Sequence, residues 1–99
     1  MTIKPVDEIV RKIRDCRRLA VTSHLRSDGD SLCAGLALVE AFEGMGKTAD
    51  YVITDPIPVP FNTFSDFRRI RVGQLASTGY DAVVLLECAD VSRSGQTGL

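Results

Sequence analysis

Apolar residues recur at Val6, Ile9, Val10 and Ile13, the three-and-four spacing of one helical face, with Arg11, Lys12 and Arg14 on the other. This spacing predicts an amphipathic helix over Val6 to Arg17, with Pro5 tolerated in its first turn. Leu19 to Ser23 is short, apolar and partly β-branched, and predicts a buried strand. His24 to Asp30 is polar and contains Gly29, so it predicts a loop. From Ser31 the helical period returns: Leu32, Leu36, Val39 and Phe42 share a face, and Gly44 and Gly46 mark its end. Thr48 to Thr54 predicts a second strand centred on Tyr51, Val52 and Ile53. Three prolines between Asp55 and Pro60 then break regular structure, and a short helix is predicted over Ser65 to Ile70. Ala82 to Leu86 is an unbroken apolar run, the pattern of a strand covered on both faces.

The succession helix, strand, helix, strand, connection, strand predicts an α/β fold. Its parallel three-stranded sheet, in the order 2-1-3, is flanked by helices. With the first strand central, the loops after the first and third strands lie side by side. Open parallel sheets bind ligands at such a switch point, outside the carboxyl ends of the strands.

Composition adds mainly exclusions. The chain has 99 residues, room for one small domain. A net charge of −1 gives no whole-chain reason to expect nucleic acid or an anionic membrane. Arg68, Arg69 and Arg71 form a small basic group, and a solvated face is the favoured reading of it. No apolar run approaches the roughly 20 residues of a membrane span, and the charged N-terminus is no signal peptide. A cytoplasmic location without membrane contact is the resulting expectation. Cys16, Cys33 and Cys88 are widely spaced without a CxxC pair, and read as buried free thiols rather than zinc ligands.

The chemistry-bearing residues follow two of the strands. His24-Leu25-Arg26-Ser27-Asp28-Gly29-Asp30 comes after the first, and Glu87-Cys88-Ala89-Asp90 after the third. In an extended loop, Asp28 and Asp30 would point the same way, and Gly29 would permit a bend and close approach of a ligand. Two carboxylates so close favour a cation between them. A histidine beside several carboxylates suits manganese, iron or magnesium better than structural zinc. The helix beginning near Ser31 aims its N-terminus at the same place, favouring an anion there. Each residue alone is more often structural: the histidine hydrogen-bonded at a strand end, Asp30 capping the helix. Their convergence at adjacent strand tips is what points to a site.

The segment SHLRSDGDSLCAGLAL (Ser23 to Leu38) resembles the first motif of the DHH phosphoesterases, and VVLLECADVSRSG (Val83 to Gly95) resembles their second. The closest branch is the bacterial oligoribonuclease and pAp-phosphatase type, relatives of RecJ-like exonucleases and cyclic-di-AMP phosphodiesterases. The resemblance implies a manganese-dependent hydrolase using two Mn2+ ions, with Mg2+ or another divalent ion as a substitute. The expected substrates are short oligoribonucleotides, pAp or cyclic dinucleotides. His24 and Asp28 would hold one metal, Asp30 would serve the second, and Glu87 would bridge them. Asp28, Asp30 and Glu87 would thus carry catalysis. Asp90 would stand behind the metal ligands. Arg93 would meet a substrate phosphate or form a structural salt bridge.

The chain departs from the family's pattern at several positions. Glu87 stands where the family has Asp, Arg26-Ser27 where it has Asn-Pro, and Cys33-Ala34-Gly35 where Gly-Ser is common. The name-giving Asp-His-His motif and the substrate-binding domain are expected beyond Leu99. Residues 1–99 then read as the N-terminal portion of the domain, inactive alone, of a protein that could form a homodimer. The alternative is a non-catalytic α/β module that binds a nucleotide or a partner with a degenerate metal site.

Overall fold

The computed structural model describes residues 4–76, 78–87 and 90–97. Cys88 and Ala89, which the sequence places just past the last strand, lie outside the described residues. Helix α1 spans Pro5–Asp15, strand β1 Arg18–Ser23, helix α2 Gly29–Gly44, strand β2 Thr48–Ile53, strand β3 Arg71–Val72 and strand β4 Ala82–Leu86. Short 3-10 helices occupy Phe61–Thr63, Ser65–Arg69 and Val91–Ser94.

The sheet is parallel throughout, in the order β3-β2-β1-β4. It therefore has four strands where the periodicity predicts three. The additional strand is two residues long, too short for a period of two to register. It pairs with β2 at the edge, Val52 opposite Arg71 and Ile53 opposite Val72. The predicted order survives within the larger sheet, since β1 lies between β2 and β4.

Each boundary has a local cause. Helix α1 stops at Asp15 rather than Arg17 because Cys16 is already extended (φ −83°, ψ 143°), feeding the chain into β1. Helix α2 starts at Gly29, two residues before the predicted Ser31, because Asp28 rather than Asp30 is its cap: the Asp28 side chain accepts the Ser31 N–H at 2.9 Å. This is the usual N-cap arrangement, a short oxygen-bearing side chain closing on the third residue beyond it. Gly46, at φ +82°, turns the chain out of α2 in the left-handed region open to glycine.

The main core lies between α2 and one face of the sheet. Leu32, Val39 and Phe42 from α2 meet Leu19, Val21, Tyr51 and Ile53, all buried. The approach is close because Gly35 has no side chain. A methyl group there would lie 2.1 Å from the Tyr51 ring. The opposite face carries a smaller cluster of Ala20, Val52 and Leu75, with Tyr80 and Val83 against it. Strand β4 is half-buried along its whole length, not covered on both faces as its sequence suggests, because it forms a sheet edge. Among the thiols, Cys16 is buried as expected but Cys33 is exposed on α2. The three arginines do not act together, since Arg69 is tied to Glu43. No described helix is long and apolar enough to cross a membrane.

Candidate metal centre

Strand pairing brings the site together. Ser23 on β1 is opposite Leu86 on β4, so the next residues, His24 and Glu87, emerge side by side from neighbouring strand tips. Adjacent strands are about 4.8 Å apart, and His24 Nε2 lies 3.7 Å from Glu87 Oε2. Asp28 approaches from the N-terminus of α2. One nitrogen or carboxylate oxygen from each of His24, Asp28 and Glu87 falls within 4.8 Å of the other two. Two donors on opposite sides of one ion, each at about 2.2 Å, are separated by about 4.4 Å, so little side-chain rotation closes the group around a cation.

The histidine is oriented for this task. Its Nδ1 is 2.5 Å from the Leu25 carbonyl oxygen, which can only accept, so Nδ1 bears the proton in that contact. Nε2 is then the ring nitrogen beside Glu87, and a carbonyl on the other nitrogen is the arrangement by which a backbone group orients a metal-binding histidine. Ser31 sits beneath the group. Its hydroxyl donates to Glu87 Oε2 at 2.7 Å and lies 3.2 Å from His24 Nε2. The Ser31 backbone N–H beside Asp28 holds that carboxyl below the usual carboxylate range, so it is anionic at neutral pH.

Below this layer is a buried polar chain. Tyr51 Oη and Ser27 Oγ are each 2.9 Å from Ser23 Oγ, Ser27 donates to the His24 carbonyl, and Tyr51 donates to the Ser31 carbonyl. The polar end of the Tyr51 ring thus props both the His24 turn and the first turn of α2. Nothing in the sequence marks Ser23, Ser27, Ser31 or Tyr51 for this role, because their partners lie as far off as 28 residues for Ser23 and 56 for Ser31.

Asp30 does not join the group. The expectation that it points with Asp28 assumed an extended loop, whereas the chain is helical from Gly29. Two residues along a helix are about 200° apart around the axis, which leaves Asp30 exposed in the first turn. Nor does Gly29 serve as a flexible bend: a side chain there would strike the Phe61 ring at 2.7 Å. Asp90 is engaged locally with the Ser92 hydroxyl, which lowers its pKa, and is not part of the cluster. Arg93 does come to the site. Its carbonyl accepts the Leu25 N–H at 2.6 Å, and with His24, Leu25, Arg26 and Glu87 it lines a cleft of about 610 Å³. A larger cleft, about 750 Å³, lies between α2 and the Ser65–Arg69 turn and shares no residue with the cluster.

Two residues around the 610 Å³ cleft carry backbone strain. Arg26 and Glu87, at φ +59° and +53°, are the non-glycine residues in the left-handed region among those described. Such a conformation costs on the order of 1 kcal/mol or more and concentrates at functional positions.

No family model matches the chain, and no curated protein does.

Proposed function

We propose that the protein is a metal-dependent phosphoesterase whose His24, Asp28 and Glu87 hold a divalent cation, Mn2+ by preference, against a small nucleotide phosphate ester. The observation that carries this reading is the convergence of those three donors at the tips of adjacent parallel strands, beside a helix N-terminus. The donor set fits the group. One imidazole and two carboxylates suit a cation of intermediate hardness, and the anionic state of Asp28 matches a positive charge. The resemblance of Ser23 to Leu38 and Val83 to Gly95 to the DHH phosphoesterases points the same way and supplies the substrate class: short oligoribonucleotides, pAp or cyclic dinucleotides.

A divalent ion at this position would polarise the ester oxygens and yield a nucleophilic hydroxide from water near neutral pH. The chain's own residues prepare the place. The Leu25 carbonyl fixes the His24 ring, and Ser31 holds Glu87 through its hydroxyl and Asp28 through its N–H. The N-terminus of α2 adds a field favourable to the ester's negative charge. A second metal held by Asp30 has less support, because among the described residues the group of converging donors is His24, Asp28 and Glu87 without Asp30. That same feature favours, as a second reading, a nucleotide-binding module with a reduced metal site.

Calorimetric titration with Mn2+ separates the two. The phosphoesterase reading expects saturable binding that His24→Ala removes, and manganese-dependent phosphate release from pAp that Asp28→Asn abolishes. Nucleotide binding that needs no metal, with no effect of His24→Ala on Mn2+ uptake, would establish the module instead.

A further inference from the structure

Arg26 interrupts the family-like pattern, yet the fold brings it to the mouth of the metal cluster. Arg26 lines the same cleft as His24, Glu87 and Arg93. The backbone there is held by Asp55, whose Oδ2 accepts the Arg26 N–H at 2.7 Å. That bond needs only the amide, which any residue but proline supplies. Glycine would adopt φ +59° without the steric penalty an arginine bears. A long cationic side chain is therefore kept where the backbone favours glycine and where the local hydrogen bond makes no demand for it.

Arg93 is fixed to the same turn through its carbonyl and the Leu25 N–H. Neither guanidinium has a carboxylate within ion-pair distance among the described residues. Asp90 engages Arg93 through the Arg93 backbone N–H, which donates to the Asp90 carbonyl at 3.2 Å, and through the attraction of their charges. Two arginines, each carrying a planar and permanently charged fork, thus line the cleft that His24 and Glu87 also line. Guanidinium forks match the oxygens of a phosphate dianion in pairs, which a point-like ammonium does not.

We infer that Arg26 and Arg93 form a phosphate-binding subsite beside the metal centre, one that grips the terminal phosphate of a nucleotide. Its role in hydrolysis rests on the phosphoesterase reading; its affinity for phosphate does not. The subsite recognises a phosphomonoester dianion, so AMP and inorganic phosphate both qualify as ligands and adenosine does not.

The test is titration of the protein with inorganic phosphate, AMP and adenosine, followed by 31P line broadening and calorimetry, in chelator and again with Mn2+. Phosphate and AMP should bind in chelator, weakly and with a salt-dependent affinity, whereas adenosine should not. Loss of one charge-assisted pair predicts a drop of about tenfold or more in AMP affinity for Arg26→Met and for Arg93→Met, with a smaller drop for Arg26→Lys. Mn2+ affinity should stay unchanged in Arg26→Met. Arg26→Gly supplies the control for a structural role: it should lose phosphate while its thermal midpoint holds or rises. If Arg26→Gly unfolds more easily and still binds AMP as the parent does, Arg26 is a structural residue and the subsite is refuted. Equal binding of adenosine and AMP refutes it as well. Phosphate binding without Mn2+ binding would leave the subsite standing and remove the phosphoesterase; Mn2+ binding with unaltered AMP affinity in Arg26→Met would do the reverse.

Discussion

At the level of single residues, the site depends on a contact that contains no catalytic group. The Tyr51 ring packs directly against Gly35, and its hydroxyl reaches Ser23 and the Ser31 carbonyl. A β-carbon at position 35 would require Tyr51 or α2 to move, and Tyr51 is only 1% exposed with no room to yield. Overpacking of this kind costs about 1–3 kcal/mol, set against about 1 kcal/mol gained from alanine's helix propensity over glycine's. Gly35→Ala should therefore lower the urea midpoint and weaken Mn2+ binding together, because displacing Tyr51 disturbs Ser31. A variant with unchanged stability would show that the helix can slide without cost.

A second residue-scale prediction concerns acid. Asp81 Oδ2 accepts the N–H groups of Arg17 and Arg18 at 2.8 and 2.9 Å, tying the start of β1 to the segment before β4. The Arg18 N–H first, then that of Arg17, holds its carboxyl below the usual range. A carboxyl with a depressed folded-state pKa contributes stability at all pH values above its ordinary pKa. That contribution disappears as pH falls through the folded value, which here means below about pH 4. Asp81→Asn should be less stable than the parent at pH 7 and should lose less between pH 4 and pH 2. Parallel curves of urea midpoint against pH for the two proteins would contradict this. The residues that made the site legible in the sequence were His24 and Glu87, each directly after a predicted strand, and Asp28, in the polar loop between the first strand and its following helix. Ser31, Tyr51 and Arg26 were not legible, because their roles depend on a helix start and a turn that no periodicity specifies.

Among the elements, β1, β2, β4 and both helices follow from spacing of apolar residues alone, and their edges differ from expectation by one or two positions where a cap decides. What escaped was structure made by side chains rather than by pattern. Beyond β4, the described segment 90–97 is anchored by Gln96. Its side-chain oxygen accepts the Leu75 N–H at 2.5 Å, while its amide nitrogen donates to Gly73 and Thr54. One glutamine thereby stands in for a strand. The opposite case is α1, whose periodicity is the most regular in the chain and which buries least: Val6, Ile9 and Val10 are 59%, 59% and 49% exposed. Substituting a surface position outside a packed core changes stability by about 0.5 kcal/mol or less. Ile9→Ala should thus shift the thermal midpoint little, whereas Leu32→Ala, fully buried in α2, should cost about 2–5 kcal/mol. A large loss from Ile9→Ala would mean that α1 packs in solution against something that covers its stripe.

For the molecule as a whole, the candidate centre joins segments that the chain keeps far apart. His24 follows β1, Asp28 opens α2, and Glu87 follows β4, 63 positions beyond His24. Strand β4 is an edge strand held by β1 on one side only, so the carboxylate it delivers depends on that pairing. A cation bound by all three would act as a cross-link between the edge and the centre of the sheet, present in the folded state alone. Linkage then fixes the size of the effect: at a free Mn2+ concentration 100 times the dissociation constant, binding adds about 2.7 kcal/mol. For a domain of this length each kcal/mol raises the thermal midpoint by about 4–8 °C, so the shift should exceed 10 °C. Amide exchange should slow at the tip of β4 as well as around His24, because an ion held by Asp28 and His24 alone would protect only the β1–α2 turn. Glu87→Gln should then reduce the shift and confine the added protection to that turn. A full shift in Glu87→Gln would take the edge strand out of the centre.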